Sequence, residues 1–262
     1  MSVEIAIIGG TGVYDPAILE GVRDEVVATE FGEAPVKIGS YHGREVAFMA
    51  RHGAGHSVPP HRINYRANMK ALAKLGVRNI LATSAVGSVN RMMKPGEFVL
   101  LDQFIDFTKG RTYTFFEGGP EGVVHVDYTE PYCEELRGYV LRAARDTGQE
   151  VHPRGVYVCT EGPRFETPAE IRMFDRLGGD LVGMTQVPEV VLAREVEICY
   201  SAIAMVTNFA AGISPTPLTH QEVLDIMAQN GKHLKQLLMR TIELIPSGRR
   251  CGRGCHTAVH HH

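Results

Sequence analysis

Several things are scarce in this chain. No apolar run reaches the roughly 18 residues that a membrane-spanning helix needs, so no span is predicted. Neither sign of charge dominates: 27 Lys and Arg stand against 30 Asp and Glu, a formal net charge of -3. Such a balance leaves no basic field to hold a nucleic acid by its phosphates, although a single small anion in a local basic pocket is still allowed. The first apolar stretch, 3–8, has no basic segment ahead of it and no small-residue cleavage pattern behind, so a cytoplasmic protein without a secretory leader is expected. Cysteine is sparse, five in 262 residues. Cys133, Cys159 and Cys199 sit among apolar neighbours and read as buried free thiols of a reducing compartment. No spacing among the five has the form of a zinc framework, so no metal site is expected from them. Internal repeats and low-complexity linkers are missing as well.

What is present alternates. Apolar, β-branched runs at 4–8, 45–50, 79–82, 98–101, 155–159, 181–184 and 201–206 read as strands, several of them buried on both faces. Helical periodicity fills 64–75, 131–147, 167–177, 188–196 and 221–245, the first stopped by Gly76 and the last by Pro246. Strand–helix alternation over the whole length predicts one α/β domain, 1–246, with a mostly parallel or mixed sheet covered by helices. Residues 247–262 are rich in Gly, Arg and His and carry no apolar period, which predicts a disordered tail. Cys251, Cys255, His256 and the terminal histidines offer metal ligands there, but a solvated tail is the reading taken.

The first strand runs into Gly9-Gly10-Thr11-Gly12. Glycines let backbone N–H groups approach an anion, and Thr11 adds a hydroxyl donor; a tight strand-to-loop turn is the plain alternative. A dinucleotide fingerprint would need a third glycine where Asp15 stands and a helix at once, yet Pro16 follows; the phosphate-loop pattern G-x-x-x-x-G-K-[ST] is also absent. Two more strand ends carry anion donors. Arg51-His52-Gly53 supplies a guanidinium fork and an imidazole, with an ordinary surface ion pair as the alternative for Arg51. Thr83-Ser84-Ala85-Val86-Gly87-Ser88 supplies hydroxyls and small residues, with a capped turn as its alternative. Three such ends in one chain point together to a phosphate-sized anion.

These segments occur in order with Pro60-His61-Arg62-Ile63-Asn64-Tyr65-Arg66-Ala67-Asn68, Thr160-Glu161-Gly162-Pro163-Arg164-Phe165-Glu166-Thr167, Gly183-Met184-Thr185 and Pro188-Glu189-Val190-Val191-Leu192-Ala193-Arg194-Glu195. The set resembles the purine nucleoside phosphorylases, in particular their methylthioadenosine phosphorylase branch, from about residue 3 to 245. The resemblance implies a single domain around a mixed, barrel-like sheet flanked by helices, and a homotrimer or a hexamer of two trimers with active sites at subunit interfaces. It implies phosphate held by Thr11, Arg51, His52, Ser84, Ala85 and Thr185, with Ser84 keeping the hydroxyl of a more usual Thr. Substrate would meet Phe165, Gly183, Met184, Asn208, Phe209 and Ala210: Phe165 against the purine, Met184 under the ribose. Glu166 joins the residues that set specificity, and His125 would reach the neighbouring subunit's site near the 5′ end of the sugar. No metal and no organic cofactor is implied; inorganic phosphate is itself a substrate.

Relatives acting on 6-aminopurines carry acidic residues at the Asn208 and Ala210 positions. Asn208 instead has a permanent amide donor and an acceptor, which suits the 6-oxo group, N7 and N1 proton of hypoxanthine or guanine. Inosine and guanosine are therefore expected over adenosine, with Asn208 the catalytic residue that stabilises the departing base. His220, where methylthio-specific relatives place an apolar residue, can hydrogen-bond a 5′-hydroxyl. Val223 still offers an apolar wall, so S-methyl-5′-thioinosine is the alternative substrate and S-methyl-5′-thioadenosine a further one. A non-catalytic nucleoside-binding module is the rival of another class; the complete phosphate set argues against it.

Overall fold

The structure is a computed structural model and describes residues 3–10, 19–119, 122–214 and 220–261, with the side chains of Ala54, 220–224, His260 and His261 left out. Ile5–Gly9 (β1) is apolar and buried at every position, as a strand covered on both faces must be. It lies between two parallel neighbours, Arg44–Ala50 (β4) and Asn79–Ser88 (β5). Glu20–Thr29 (β2) and Gly32–Tyr41 (β3) form a hairpin that extends the sheet antiparallel through β4. β2 is the outer edge, and the charges of Glu20, Arg23, Asp24 and Glu25 suit an edge strand that must not pair further.

On the other side of β5 the sheet divides. Beyond Ala82, the last residue of β5 paired with β1, the same edge is taken up again at Gly87 and Ser88 by Leu181–Gly183 (β11), which runs antiparallel. Val156–Thr160 (β10) and Gln103–Phe107 (β7) continue outward from β11. The opposite edge of β5 pairs along its whole length with Cys199–Phe209 (β12), which in turn carries Phe98–Leu100 (β6) and, through it, Val151–His152 (β9). Among the described residues eleven strands thus make one mixed sheet. No described strand pairs with the 83–86 stretch of β5 on the β1 side, so the sheet forks there.

Among the described residues five α-helices pack around it. Tyr65–Lys74 (α1) is capped by Asn64, whose side chain accepts from the Ala67 N–H at 3.1 Å. Glu134–Thr147 (α2) ends at Gly148 in a left-handed conformation, and Pro168–Arg176 (α3) opens on a reciprocal Thr167/Glu170 capping box. Gln186–Glu195 (α4) and His220–Leu244 (α5) complete the set. Alternation along the strands sends Ala6, Ile8, Ile80, Ala82 and Ala202 to the face covered by α1 and α4. Ile5, Ile7, Leu81 and Ile203 go to the face covered by α2 and α5. Both faces are apolar, which is why periodicity found the central strands.

The tail departs from expectation. Arg249, Cys255 and Ala258 are buried, and Val259–His261 (β13) pairs antiparallel with Val124–Val126 (β8). Residues 247–261 therefore pack onto the domain instead of forming a disordered tail. Their anchors are one guanidinium, a thiol and a methyl, too few and too irregular to register as periodicity. Among the described residues, no helix is long and apolar enough to cross a membrane.

Candidate active site

The fork in the sheet opens into a cavity of about 550 Å³. Its walls come from the loop after β1, the loop after β4, the unpaired stretch of β5, the ends of β11 and β12, and the 163–166 loop. Arg51, His52, Ser84, Ala85, Phe165, Glu166, Gly183, Met184, Thr185, Asn208 and Ala210 all line it, so three dispersed strand ends and two loops do converge. Thr11 and the side chains of His220 and Val223 lie outside the described residues.

One half of the cavity gathers a guanidinium and two hydroxyls. Arg51 is buried, so it forms no surface pair, yet it is paired. Its Nε and Nη2 each donate to Glu189 of α4 at 2.6 Å, and Nη1 donates to the Thr83 carbonyl at 2.8 Å. Burial alone would lower the Arg51 pKa, but the Glu189 carboxylate outweighs it and holds the guanidinium charged. Of the five N–H bonds a guanidinium owns, these contacts use three and leave two unspent. Gly10 makes the room: a Cβ there would stand 2.6 Å from the Thr83 carbonyl and 3.0 Å from Arg51 Nη1.

Ser84 and Thr185 meet across the cavity floor, hydroxyl to hydroxyl at 3.4 Å. Ser84 Oγ accepts from Gln186 Nε2 at 2.8 Å, which leaves its own proton available. Thr185 is aimed by its backbone N–H, which donates to the Tyr157 hydroxyl at 3.2 Å. Tyr157 reaches that point only because residue 183 is glycine; a Cβ there would collide with the phenol.

His52 needs a correction. Its Nδ1 lies 2.9 Å from the Val58 carbonyl, which can only accept, so Nδ1 carries a proton. Burial drives the His52 pKa down to about 4, and the Arg51 charge adds to that. Near neutrality the ring is uncharged and Nε2 is an acceptor, not the second donor the residue type suggested.

The other half is lined by Phe165, Glu166, Met184, Asn208 and Ala210. Phe165 is 51% exposed and therefore no core residue. Glu166 is held by the Thr160 hydroxyl at 2.6 Å, and burial raises its pKa. Asn208 follows an irregularity in the β5–β12 register between Val206 and Asn208. Its Oδ1 accepts from Thr207 Oγ1 at 2.8 Å and its Nδ2 donates to the Phe209 carbonyl at 2.9 Å. The hydroxyl and the carbonyl fix the amide's orientation, leaving one N–H and one lone pair unspent. Thr207 Oγ1 also has the Val86 carbonyl at 3.2 Å, the longer of its two acceptors. Phe209 does not line the cavity; it contributes the carbonyl that holds Asn208. His125, on β8, is exposed and is not among the cavity's residues.

Four residues escaped residue-by-residue reading. Glu189, Gln186 and Tyr157 stand behind Arg51, Ser84 and Thr185. Arg111, nearly inaccessible, ties the loop after β10 to the start of α4, donating to the carbonyls of Met184 at 2.7 Å, Val187 at 2.6 Å and Glu161 at 2.6 Å. Glu189 sat in a quoted motif and an acid beside apolar helix positions is a signal; Arg111 gave none.

Residues 4–243 match the family described as the phosphorylase superfamily. The chain is 62% identical to a probable 6-oxopurine nucleoside phosphorylase of Moorella thermoacetica, covering 94% of this chain and 95% of that one. It is 57% identical to the 6-oxopurine nucleoside phosphorylase of Pyrococcus furiosus, with 95% of each covered. A probable S-methyl-5′-thioinosine phosphorylase of Methanopyrus kandleri is 51% identical over 95% of each chain. Among solved structures, a methylthioadenosine phosphorylase from Schistosoma mansoni in complex with adenine superposes with a TM-score of 0.88 at 36% identity, covering 92% of this chain and 91% of that one.

Proposed function

This chain belongs to the phosphorylase superfamily, and from that premise we propose that it is a purine nucleoside phosphorylase acting on inosine and guanosine. Phosphate replaces the base reversibly, giving free 6-oxopurine and ribose 1-phosphate. The observation that carries this reading is the pairing, in one cavity, of an anion half lined by Arg51, Ser84 and Thr185 with an Asn208 amide whose orientation is fixed.

Phosphate takes the two remaining Arg51 N–H bonds and the hydroxyl protons of Ser84 and Thr185, with Thr11 as a further donor. Neutral His52 accepts from a P–OH, so hydrogenphosphate fits it better than a fully ionised oxygen would. As the glycosidic bond lengthens, the ribose gains cationic character next to this anion, which then attacks the anomeric carbon with inversion. The base leaves as its ring gains electrons, and the free Asn208 N–H stabilises it through N7 or the 6-oxo oxygen. Glu166 supplies the acceptor for the N1 proton that a 6-oxopurine has and adenine lacks. Met184 packs the sugar, and Phe165 borders the base. The phosphate is the nucleophile, so neither a metal nor an organic cofactor enters the chemistry. A cytoplasmic homotrimer or hexamer, with His125 completing the neighbouring site, goes with this reading.

S-methyl-5′-thioinosine is the second reading, supported by the 51% identity to the Methanopyrus kandleri relative. Turnover of inosine, guanosine, adenosine and their 5′-methylthio analogues at fixed phosphate tests both. Inosine and guanosine are expected to lead. A lead for methylthioinosine selects the second reading; a lead for adenosine defeats the Asn208 argument. Cleavage in phosphate-free buffer at an undiminished rate would make the chain a hydrolase.

A further inference from the structure

Cys133, Cys199, Cys251 and Cys255 are far apart in sequence, yet their four sulfurs all lie within 4.8 Å of one another. Cys133 precedes α2, Cys199 opens β12, and Cys251 and Cys255 belong to the tail. We propose that these four thiols form a tetrathiolate site for a structural zinc ion, separate from the catalytic cavity.

The distances fit. Four sulfurs placed tetrahedrally at about 2.3 Å from zinc stand about 3.8 Å apart. Cys133 and Cys251 are 3.7 Å apart, and no cysteine of the set is disulfide-bonded. Three of the four residues are buried and Cys251 partly so, which suits a closed site with no open coordination position.

The surroundings fit as well. Four thiolates around a divalent cation keep two net negative charges, and two buried arginines face them. Arg249 points Nη1 at Cys199 Sγ (3.4 Å) and Nη2 at Cys133 Sγ (3.5 Å), and Arg194 points Nη1 at Cys255 Sγ (3.3 Å). The fourth sulfur, Cys251 Sγ, accepts from the Arg253 backbone N–H at 3.4 Å. Every sulfur thus has an N–H donor, the pattern by which outer groups orient and tune metal ligands. Arg249 is also tied to Asn79 Oδ1 at 2.7 Å and to Glu135 at 2.8 Å, which fixes its fork in place.

Sequence spacing concealed the site. Cys251 and Cys255 are a single close pair, and the other two thiols stand far away at 133 and 199, so no framework of paired motifs shows in the sequence. The loop's turn uses Gly254 at φ +77°, and the Gly252 N–H is pinned to Glu135 at 2.8 Å. The consequence is mechanical: an ion there staples the tail to the domain, and with it β13 against β8, the strand that carries His125.

The test uses the whole chain, purified without added metal and exhaustively dialysed. Elemental analysis is expected to find about one zinc ion per chain, and titration with a mercurial reagent to release it. Cobalt(II) added to the zinc-depleted chain is expected to give the visible bands of a tetrahedral site and a near-ultraviolet sulfur-to-cobalt charge-transfer band. Cys255→Ser is expected to lose the ion and lower the Tm, while His260→Ala/His261→Ala/His262→Ala retains it, which separates the thiol site from the histidines. If Cys255→Ser does not fold, the zinc content and cobalt spectrum of the unaltered chain still decide. Absence of both, with five free thiols on unfolding, overturns the proposal. So does a disulfide between any two of the four in unreduced peptides, or iron recognised by its visible thiolate absorption.

Discussion

The two halves of the cavity are built differently. The anion half is buried and backed by a second layer: Glu189 behind Arg51, Gln186 behind Ser84, Tyr157 behind Thr185. The purine half ends in Phe165, half exposed, and in a carboxylate held by one hydroxyl. A tetrahedral anion is the same in every turnover, so its donors gain from being fixed in advance, and a low-dielectric setting strengthens each of them. The base must enter and leave, which an over-determined wall would hinder. Rigidity therefore goes to the shared chemistry, and openness to the part that varies between substrates.

The largest test of that contrast removes the layer behind Arg51. Glu189→Ala leaves a buried guanidinium without its partner, a change that costs about 3–5 kcal/mol in comparable pairs. Denaturant unfolding is expected to show a loss of that size, and the KM for phosphate to rise more than that for inosine; equal rises would detach Arg51 from the anion. Phe165→Ala is the counterpart on the open side. Stability should stay within about 0.5 kcal/mol, as for an exposed side chain. Stacking worth about 1–3 kcal/mol per base predicts instead a roughly 5- to 150-fold rise in the inosine KM with the phosphate KM unchanged. An unchanged inosine KM would remove Phe165 from the base.

The smallest effect concerns pH. His52 titrates at about 4 when folded, against an ordinary value of 6.5, so between those values the unfolded chain binds more protons. Its contribution to stability is complete above pH 6.5 and is lost as pH falls toward 4. His52→Gln is expected to flatten that part of the stability profile; a profile of unchanged slope would mean that His52 is not held neutral.

Much of this was legible in the sequence, for particular reasons. The central strands announced themselves because both faces of β1, β5 and β12 are apolar, and the helices because their stop signals are local. The β2–β3 hairpin was missed because an edge strand carrying Glu20, Arg23, Asp24 and Glu25 has no apolar run to read. The tail was misread because its anchors act singly. Arg51 and Ser84, singled out by their chemistry, and Thr185 and Asn208, singled out by the family resemblance, all line the one cavity. The protonation of His52 was not legible, because it depends on the Val58 carbonyl and on burial. Nor was the role of Phe209, which acts through its backbone. Residues whose function lies in their own side chain can be read from sequence; those that act through a neighbour's geometry need the fold.

The central claim is that one opening in the sheet holds the anion and the base against each other. A crystal structure with inorganic phosphate and hypoxanthine tests it directly. Phosphate is predicted within hydrogen-bonding distance of Arg51, Ser84 and Thr185, with hypoxanthine on the free edge of the Asn208 amide. Phosphate bound elsewhere, or a base that leaves Asn208 untouched, would contradict the account.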